Sequence, residues 1–433
     1  MKIVVLGSGG REHALVWKLR QSPVVREMWC LPGNGGIAQC AECVPVQPTD
    51  AEAVYAFVRS RAADLVVIGP EQPLVAGVAD FLREHGVPVF GPIRAQARLE
   101  GSKVFAKEFM QRHGMPTAEF RAASSPAEGM DAVRDMARRF SEGLVVKADG
   151  LAAGKGVVVC DDEAQAADAV AAMMQRRSFG VAGDRVLVER RLSGVEMSVI
   201  AFCDGKSIVP LTHSQDHKRA FDGDAGPNTG GMGAFSPVPF VSARLEHRIR
   251  AEVLDRFVQG VRSDGIGYTG VMYFGLMIVD AGTERERPYV LEFNCRFGDP
   301  ETQAILPLLE TDFCDVVQAT LGGTLGRMHL SFRKGSAVCV VLASQGYPGA
   351  YDTGCVVTGL EEAARVEDVT VFHAGTALRD GRIVTAGGRV FGVTGMADSL
   401  QTAIDRAYRA AQMIRYENRM YRKDIGHKGL AAL

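Results

Sequence analysis

Leu144-Val145-Val146-Lys147-Ala148-Asp149-Gly150-Leu151-Ala152-Ala153-Gly154-Lys155-Gly156-Val157-Val158-Val159-Cys160 decides how this 433-residue chain is read. Two short runs rich in valine flank a loop with three glycines, and one lysine precedes that loop while another lies within it. β-Branched residues suit a pleated, half-buried surface, so the pattern predicts strand, loop, strand. The loop is not a Walker A motif. Only three residues separate Gly150 from Gly154, and Gly156 follows Lys155 where Ser or Thr would be needed. The chemistry is nevertheless similar in kind. Glycines let backbone approach phosphate oxygens closely, Ala152 and Ala153 add no bulk, and Lys147 and Lys155 bring positive charge. A phosphate-binding loop is the favoured reading, and a plain hairpin with a surface lysine is its competitor. An Ala-rich helical stretch and a strand over 185–189 follow, so about 120–192 is expected to form a small α+β lid.

Upstream, apolar runs at 3–6, 25–31, 65–68 and 87–90 each end in glycine, proline or both. That alternation with helical stretches predicts an open parallel α/β sheet, whose ligands gather at the carboxyl ends of the strands. Gly7-Ser8-Gly9-Gly10-Arg11-Glu12 invites a dinucleotide reading, but Glu12 stands where the third glycine belongs. No acid follows the second strand either; Leu31-Pro32-Gly33-Asn34 stands there. A single phosphate at this helix N-terminus remains open beside an empty turn. A helix is expected around 103–112. Downstream, strands over 195–203, 270–279 and 289–294 predict an antiparallel sheet. The last hundred residues predict strands over 337–343, 369–374 and 389–393, then a helix from Ser399.

Two further clusters carry chemistry. In Glu292-Phe293-Asn294-Cys295-Arg296-Phe297-Gly298-Asp299-Pro300-Glu301, residues i and i+2 of a strand share a face, so Glu292 and Asn294 present two oxygens together. Such ligands suit magnesium bridged to substrate phosphates. Arg296, on the same face if the strand continues, can hold an anion bidentately, while Cys295 points away as a core thiol. In Val188-Glu189-Arg190-Arg191-Leu192-Ser193-Gly194-Val195-Glu196, two carboxylates bracket a turn. They can meet a purine and a ribose, although surface salt bridging explains the pattern as well. The polar, glycine-rich stretch from Gln215, Asp216, His217 and Lys218 to Gly233 reads as a binding loop.

The bulk composition is that of a soluble globular protein, with 23% charged and 47% hydrophobic residues and a net charge of −2. No basic footprint for nucleic acid and no apolar run long enough for a membrane span is present. Met1-Lys2 leads straight into the first strand, with no secretory leader pattern. Nine scattered cysteines suit reduced thiols in a cytoplasmic protein. Cys40 and Cys43 form one CxxC without a second pair at zinc spacing.

The stretches GSGGREHAL, PGNGGI, GPEQPLVAG, KADGLAAGKGV, QDHKRAFDGDAGPNTGGMGAFSP, EFNCRFGDPETQ, VFHAGT and YRKDIGHKG occur in order along the chain. In them the sequence resembles the phosphoribosylamine–glycine ligases of the ATP-grasp superfamily over nearly its whole length. The resemblance implies an N-terminal α/β substrate domain (1–102), an ATP-grasp domain (103–325) and a strand-rich C-terminal domain (326–433). It implies ATP, glycine and 5-phosphoribosylamine as substrates, glycyl phosphate as intermediate and purine synthesis as setting. Mg2+ or Mn2+ is the expected cofactor, and a monomer of single activity is expected.

Roles carry over by position. Lys103, Lys147, Gly150, Gly154, Lys155, Gly156, Glu189, Arg190, Leu192 and Glu196 resemble the ATP contacts. Glu292 and Asn294 resemble the metal ligands. Gly9, Gly10, Asn34, Glu71, Asn228 and Asp299 resemble substrate contacts, and Asp216, Lys218 and Arg296 the catalytic group. Unlike many ATP-grasp members, the strand over 273–279 carries no acid. Another ATP-grasp carboxylate–amine ligase is the nearest alternative. An NAD-dependent oxidoreductase and a non-catalytic ATP sensor are more distant ones.

Overall fold

Ile3, Val4, Val5 and Leu6 are all fully buried, and a strand apolar on both faces needs cover on both. In the computed structural model, which describes residues 1–151 and 156–431, Lys2–Gly7 is the middle strand of a five-stranded parallel sheet. Glu27–Pro32 and Glu42–Cys43 lie to one side, Leu65–Ile68 and Val89–Phe90 to the other. The order reverses at the middle strand, which leaves a crevice at its carboxyl end. One face packs on the sheet's own helices through Val54, Val58, Val78 and Leu82. The other face, with Ile3, Val5 and Val67, shares its core with Ala14, Leu15 and Leu19 of the helix Gly10–Arg20 and, from far along the chain, with Ile305, Leu309, Phe313, Val316 and Phe372.

Leu144–Ala148 and Val157–Cys160 pair antiparallel around the glycine loop, with Lys147 opposite Val157. Val186–Arg190 and Phe120–Ala123 complete this four-stranded sheet. A second antiparallel sheet runs in the order Ile208–Pro210, Val195–Cys203, Gly270–Val279, Arg287–Asn294. Its last pairing contains a bulge: Gly275 opposes Glu292 while Leu276 opposes Val290, leaving Leu291 as an extra residue. The extra residue shifts the alternation by one. Val290 and Phe293 therefore both enter the core, as does Cys295, and Glu292 and Asn294 are only half-buried on the other face.

The C-terminal sheet runs Gln215–Asp216, Gly233–Ser236, Ser336–Ser344, Arg389–Ala397, Val369–His373, with Arg419–Met420 also on Ser336–Ser344. Its first two strands come from before residue 326, so chain order and packing order differ here. Ser399 caps the helix Leu400–Met413 by accepting from the Thr402 N–H. That helix buries Leu400, Ala403, Ile404, Ala407 and Ala411, a 3.6-residue stripe, on the sheet. All nine cysteines are free, and six are buried. Among the described residues no helix is long and apolar enough to cross a membrane.

The first and last sheets are tied by Asn34. Its amide donates to the carbonyls of Ser8 (2.8 Å) and His373 (2.9 Å), and its oxygen accepts from the N–H groups of Gly36 and Ile37, both at 2.9 Å. All four of its hydrogen-bonding positions are thereby used within the protein. Replacing Asn34 by Leu is expected to lower stability by about 3 kcal/mol, since buried partners lose their bonds. Urea unfolding monitored by circular dichroism measures this, and an unchanged midpoint would show the tie to be dispensable.

Candidate active site

One side of the cleft is built from the helix Lys103–Arg112 and the strands Leu144–Ala148 and Val186–Arg190. Ser102 caps the helix Lys103–Arg112, and Asp149 Oδ1 accepts from both the Ser102 hydroxyl (2.9 Å) and the Val104 N–H (3.1 Å). Asp149, just before the glycine loop, is thus pinned to the helix start. Lys103 Nζ donates to the Gly150 carbonyl at 2.8 Å. Lys147 Nζ donates to the Leu291 carbonyl at 3.1 Å and lies 3.0 Å from Glu189 Oε2. Lys147 and Glu189 sit diagonally on adjacent antiparallel strands, where Glu189 opposes Val145, and such pairs share a face. Glu189 is 2% exposed, and Lys107 Nζ is 3.1 Å from the same Oε2. Burial alone would raise the Glu189 carboxyl, but the two ammoniums outweigh it and hold it below its ordinary value.

Alternation along Val186–Arg190 sends Arg190 the other way. Its guanidinium lies 3.3 Å from Glu142 and 3.8 Å from Glu119, over the Phe140 ring. The Arg190 side chain therefore belongs to the outer face of the lid, which leaves its backbone as the part that can meet a nucleotide. Leu192 is half-buried just beyond the strand. Gly156 accepts from the Ala148 N–H at 2.8 Å at the base of the loop. Gly154 and Lys155 lie outside the described residues.

Across the cleft, Glu292 and Asn294 project from the bulged strand. Lys218 Nζ stands 3.3 Å from Glu196 and 3.9 Å from Glu292. Glu196 beside Lys218 holds that ammonium well above its ordinary range. Loss of solvent would raise the Glu292 carboxyl, and Lys218, Lys147 and Lys103 together bring it below its usual value. Next to them Asp216 has a buried Oδ1 without a partner among the described residues. Burial and the neighbouring Glu301 push its carboxyl well above the ordinary carboxylate range. Glu301 accepts from Ser198 at 3.2 Å, and Ser198 shares a 2.8 Å hydrogen bond with Tyr273. Asn228 ends the hairpin strand opposite Arg219, next to Thr229, whose N–H donates to the Lys218 carbonyl at 2.8 Å.

The strand stops at Asn294, yet Arg296 turns back to it, donating to Asn294 Oδ1 at 3.2 Å. Arg296 Nε also lies 3.2 Å from Glu71 and 3.3 Å from Glu100, while its other fork nitrogen donates to the Phe297 carbonyl at 3.1 Å, so the protein's own groups surround the guanidinium. Arg11 donates to the Phe297 carbonyl at 3.1 Å, and Arg389 lies 3.3 Å from Asp299. Burial would raise the Asp299 carboxyl; Arg389 and Arg11 hold it low. A side chain on Gly9 would come within 3.4 Å of Asp299, and one on Gly10 within 2.6 Å of Gln303. The segment 296–303 thus closes against the carboxyl edge of the parallel sheet. The phosphate contemplated at the first helix N-terminus meets competition there: Glu12 Oε2 already accepts from the Gly9 N–H at 2.6 Å.

This arrangement of lid lysines, half-buried oxygens and parallel-sheet loops has close counterparts. Family models for phosphoribosylglycinamide synthetase match the N domain at residues 1–100, the ATP-grasp (A) domain at 101–302 and the C domain at 337–428. A phosphoribosylamine–glycine ligase of Ralstonia nicotianae is 47% identical over 99% of this chain and 100% of its own. The chain belongs to the phosphoribosylglycinamide synthetase family. The crystal structure of a phosphoribosylamine–glycine ligase from Thermotoga maritima superposes with a TM-score of 0.83 at 35% identity, covering 98% of this chain and 100% of the other. A biotin carboxylase domain from Hydrogenobacter thermophilus reaches 0.72 at 15% identity, over 97% of this chain and 91% of the other. That last likeness concerns the fold alone.

In this member of the phosphoribosylglycinamide synthetase family, several side chains at the site carry no role in the sequence reading, even where they lie within quoted motifs. Arg11, Tyr273, Arg389 and the pair Glu301 and Gln303 of one helix reach it from four elements, and only tertiary packing gathers them. Lys107 had a local signal: it is four residues after Lys103, hence on the same helix face. Lys147→Met is expected to reduce kcat by at least about 100-fold, as when one preorganised charge is lost. Steady-state turnover with saturating substrates measures it, and near-normal turnover would take Lys147 out of the reaction.

Proposed function

We propose that the chain joins glycine to 5-phosphoribosylamine, forming glycinamide ribonucleotide, ADP and phosphate, through glycyl phosphate. One observation carries this reading beyond family membership. Lys103, Lys147 and Lys218 converge on Glu292, while the adjoining segment 296–303 reaches Gly9 and Glu71 at the parallel-sheet edge. Nucleotide, amino acid and sugar phosphate thus have neighbouring places along one cleft.

Phosphoryl transfer needs positioning and charge neutralisation above all. Lys103 and Lys147 bracket the ATP phosphates, with Gly150 and Gly156 beside them; Gly154 and Lys155 lie outside the described residues. Glu189, Glu196, Leu192 and the Arg190 backbone take the nucleoside. Lys218 faces the glycine carboxylate, whose oxygen attacks the γ-phosphorus as ADP departs. Asp216 lies beside it to receive the glycine ammonium. Arg296 and Asp299, held by Glu71 and Arg389, orient the sugar phosphate with Gly9, Gly10 and Asn228, while Asn34 shapes the loop. The phosphoribosylamine nitrogen then bonds to the acyl carbon, phosphate leaves, and the nitrogen loses a proton. The acyl phosphate hydrolyses readily, so the reaction requires water to be kept from it.

Glu292 and Asn294 fit Mg2+ or Mn2+: two oxygens on one strand face, opening on the phosphate-binding lysines, match an ion that takes few protein ligands and fills its shell with substrate oxygens and water. When bound, the ion supplies charge neutralisation at the phosphates. No cluster of three or more His, Cys, Asp or Glu is found among the described residues, so the remaining ligands come from substrate. A cytoplasmic setting accords with the free, largely buried thiols.

Phosphate release from ATP is expected only when glycine and freshly generated phosphoribosylamine are present together, with glycinamide ribonucleotide formed in equal amount. Release with a different carboxylate and amine instead would assign the chain to another ATP-grasp reaction. Asn294→Leu removes one oxygen ligand and is expected to raise the magnesium concentration needed for half-maximal rate. An unchanged magnesium dependence would remove Asn294 from the ligand set.

A further inference from the structure

Lys107 has no part in the roles above, yet it is 2% exposed. A charge is kept from water only when it is paired and hydrogen-bonded. Lys107 Nζ lies 3.1 Å from Glu189 Oε2 and donates to Thr117 Oγ1 at 2.6 Å, and the Thr117 hydroxyl donates to the Val290 carbonyl at 2.7 Å. Glu189 Oε2 also meets Lys147 at 3.0 Å, whereas Oε1 is buried without a partner among the described residues.

Two ammoniums therefore share one carboxylate oxygen, and the group carries a net positive charge. Without the Lys107 charge, Glu189 and Lys147 would form a neutral pair, and Coulomb coupling at such a distance is strong away from bulk water. Lys147 would then have its charge spent inside the protein. We propose that Lys107 is a positioning residue for the nucleotide: it neutralises Glu189, so that Lys147 presents an uncompensated charge to the ATP phosphates and Glu189 Oε1 stays free to accept from the base. The inference rests on the assignment of Lys147 and Glu189 to the ATP site.

The state of Lys107 agrees with this role. Burial lowers its ammonium to about 8, with Glu189 opposing the shift. It is charged at neutral pH and loses that charge in mild alkali. The charged groups acting on it are Glu189 and Lys147 on the lid strands and Glu119 just before them. A buried ion pair that served packing alone would affect stability on removal and leave the affinity of the folded enzyme for ATP unchanged.

The test is ATP binding to the full chain by isothermal titration calorimetry, with folding checked by circular dichroism. Lys107→Gln keeps hydrogen bonds to Glu189 and Thr117 but removes the charge, and it is expected to weaken ATP binding about tenfold or more. Wild-type affinity in this variant overturns the proposal. Lys147→Met separates the two readings: if it binds ATP normally, the nucleotide assignment itself fails and the role of Lys107 with it. Should Lys107→Gln not fold, Lys107→Arg decides. The wild-type enzyme is expected to lose ATP affinity as pH rises through about 8, and the arginine variant to keep it. A wild-type profile that is flat there, or one matched by the arginine variant, overturns the proposal.

Discussion

Arg296 is the contact on which the arrangement of the molecule hinges. Its guanidinium meets Glu71 at the start of the helix Glu71–Ala76, Glu100 from the helix Arg94–Gly101 and Asn294 from the end of the antiparallel sheet. Burial would lower its affinity for a proton, but Glu100 and Glu71 raise it beyond the ordinary arginine value. A buried ion pair of this kind adds little net stability over an apolar substitute, while loss of one partner costs about 3–5 kcal/mol because the other charges stay behind. Its value here is geometric. Three separately formed elements can satisfy their charges in one relative placement, and that placement brings the sheet edge against the cleft.

A second constraint is the single extra residue at Leu291. Strict alternation from Val290 would have carried Glu292 into the apolar core, where an acid without partners is untenable. The bulge turns Glu292 and Asn294 to the cleft while Phe293 and Cys295 remain packed with Phe257, Phe274 and Tyr268. The carboxylate then finds itself amid lysines drawn from the helix, the lid and the hairpin segment. Electrostatics and packing agree on one conformation, which is how a charged site can sit on a rigid floor.

Much of this was legible in the chain itself. Apolar runs ending in glycine revealed the parallel sheet, and the helix Lys103–Arg112 and the floor strands stand close to where periodicity put them. Phe120–Ala123 escaped because Arg and Ala carry little strand preference, and Glu42–Cys43 because two residues make no pattern. The joining of Gln215–Asp216 and Gly233–Ser236 to a later sheet is a long-range pairing that local composition does not encode. Arg190 could have been turned outward on paper, since neighbours on a strand face opposite ways. Lys107 was overlooked for a different reason: a lysine on a helix usually belongs to a solvated face, and only the fold shows this one sealed beneath the lid.

The late cover of the first sheet bears on how the chain is made. Ile3, Val5 and Val67 emerge from the ribosome early, whereas Phe313, Val316 and Phe372, which share their core, emerge near the end. At roughly 5–20 residues per second of translation, one apolar face of the nascent sheet has only the helix Gly10–Arg20 as cover for some tens of seconds. The N-terminal segment is thus a separate unit in sequence but not in biogenesis. Cut free of its distant half, it would leave the ribosome as an aggregation-prone fragment.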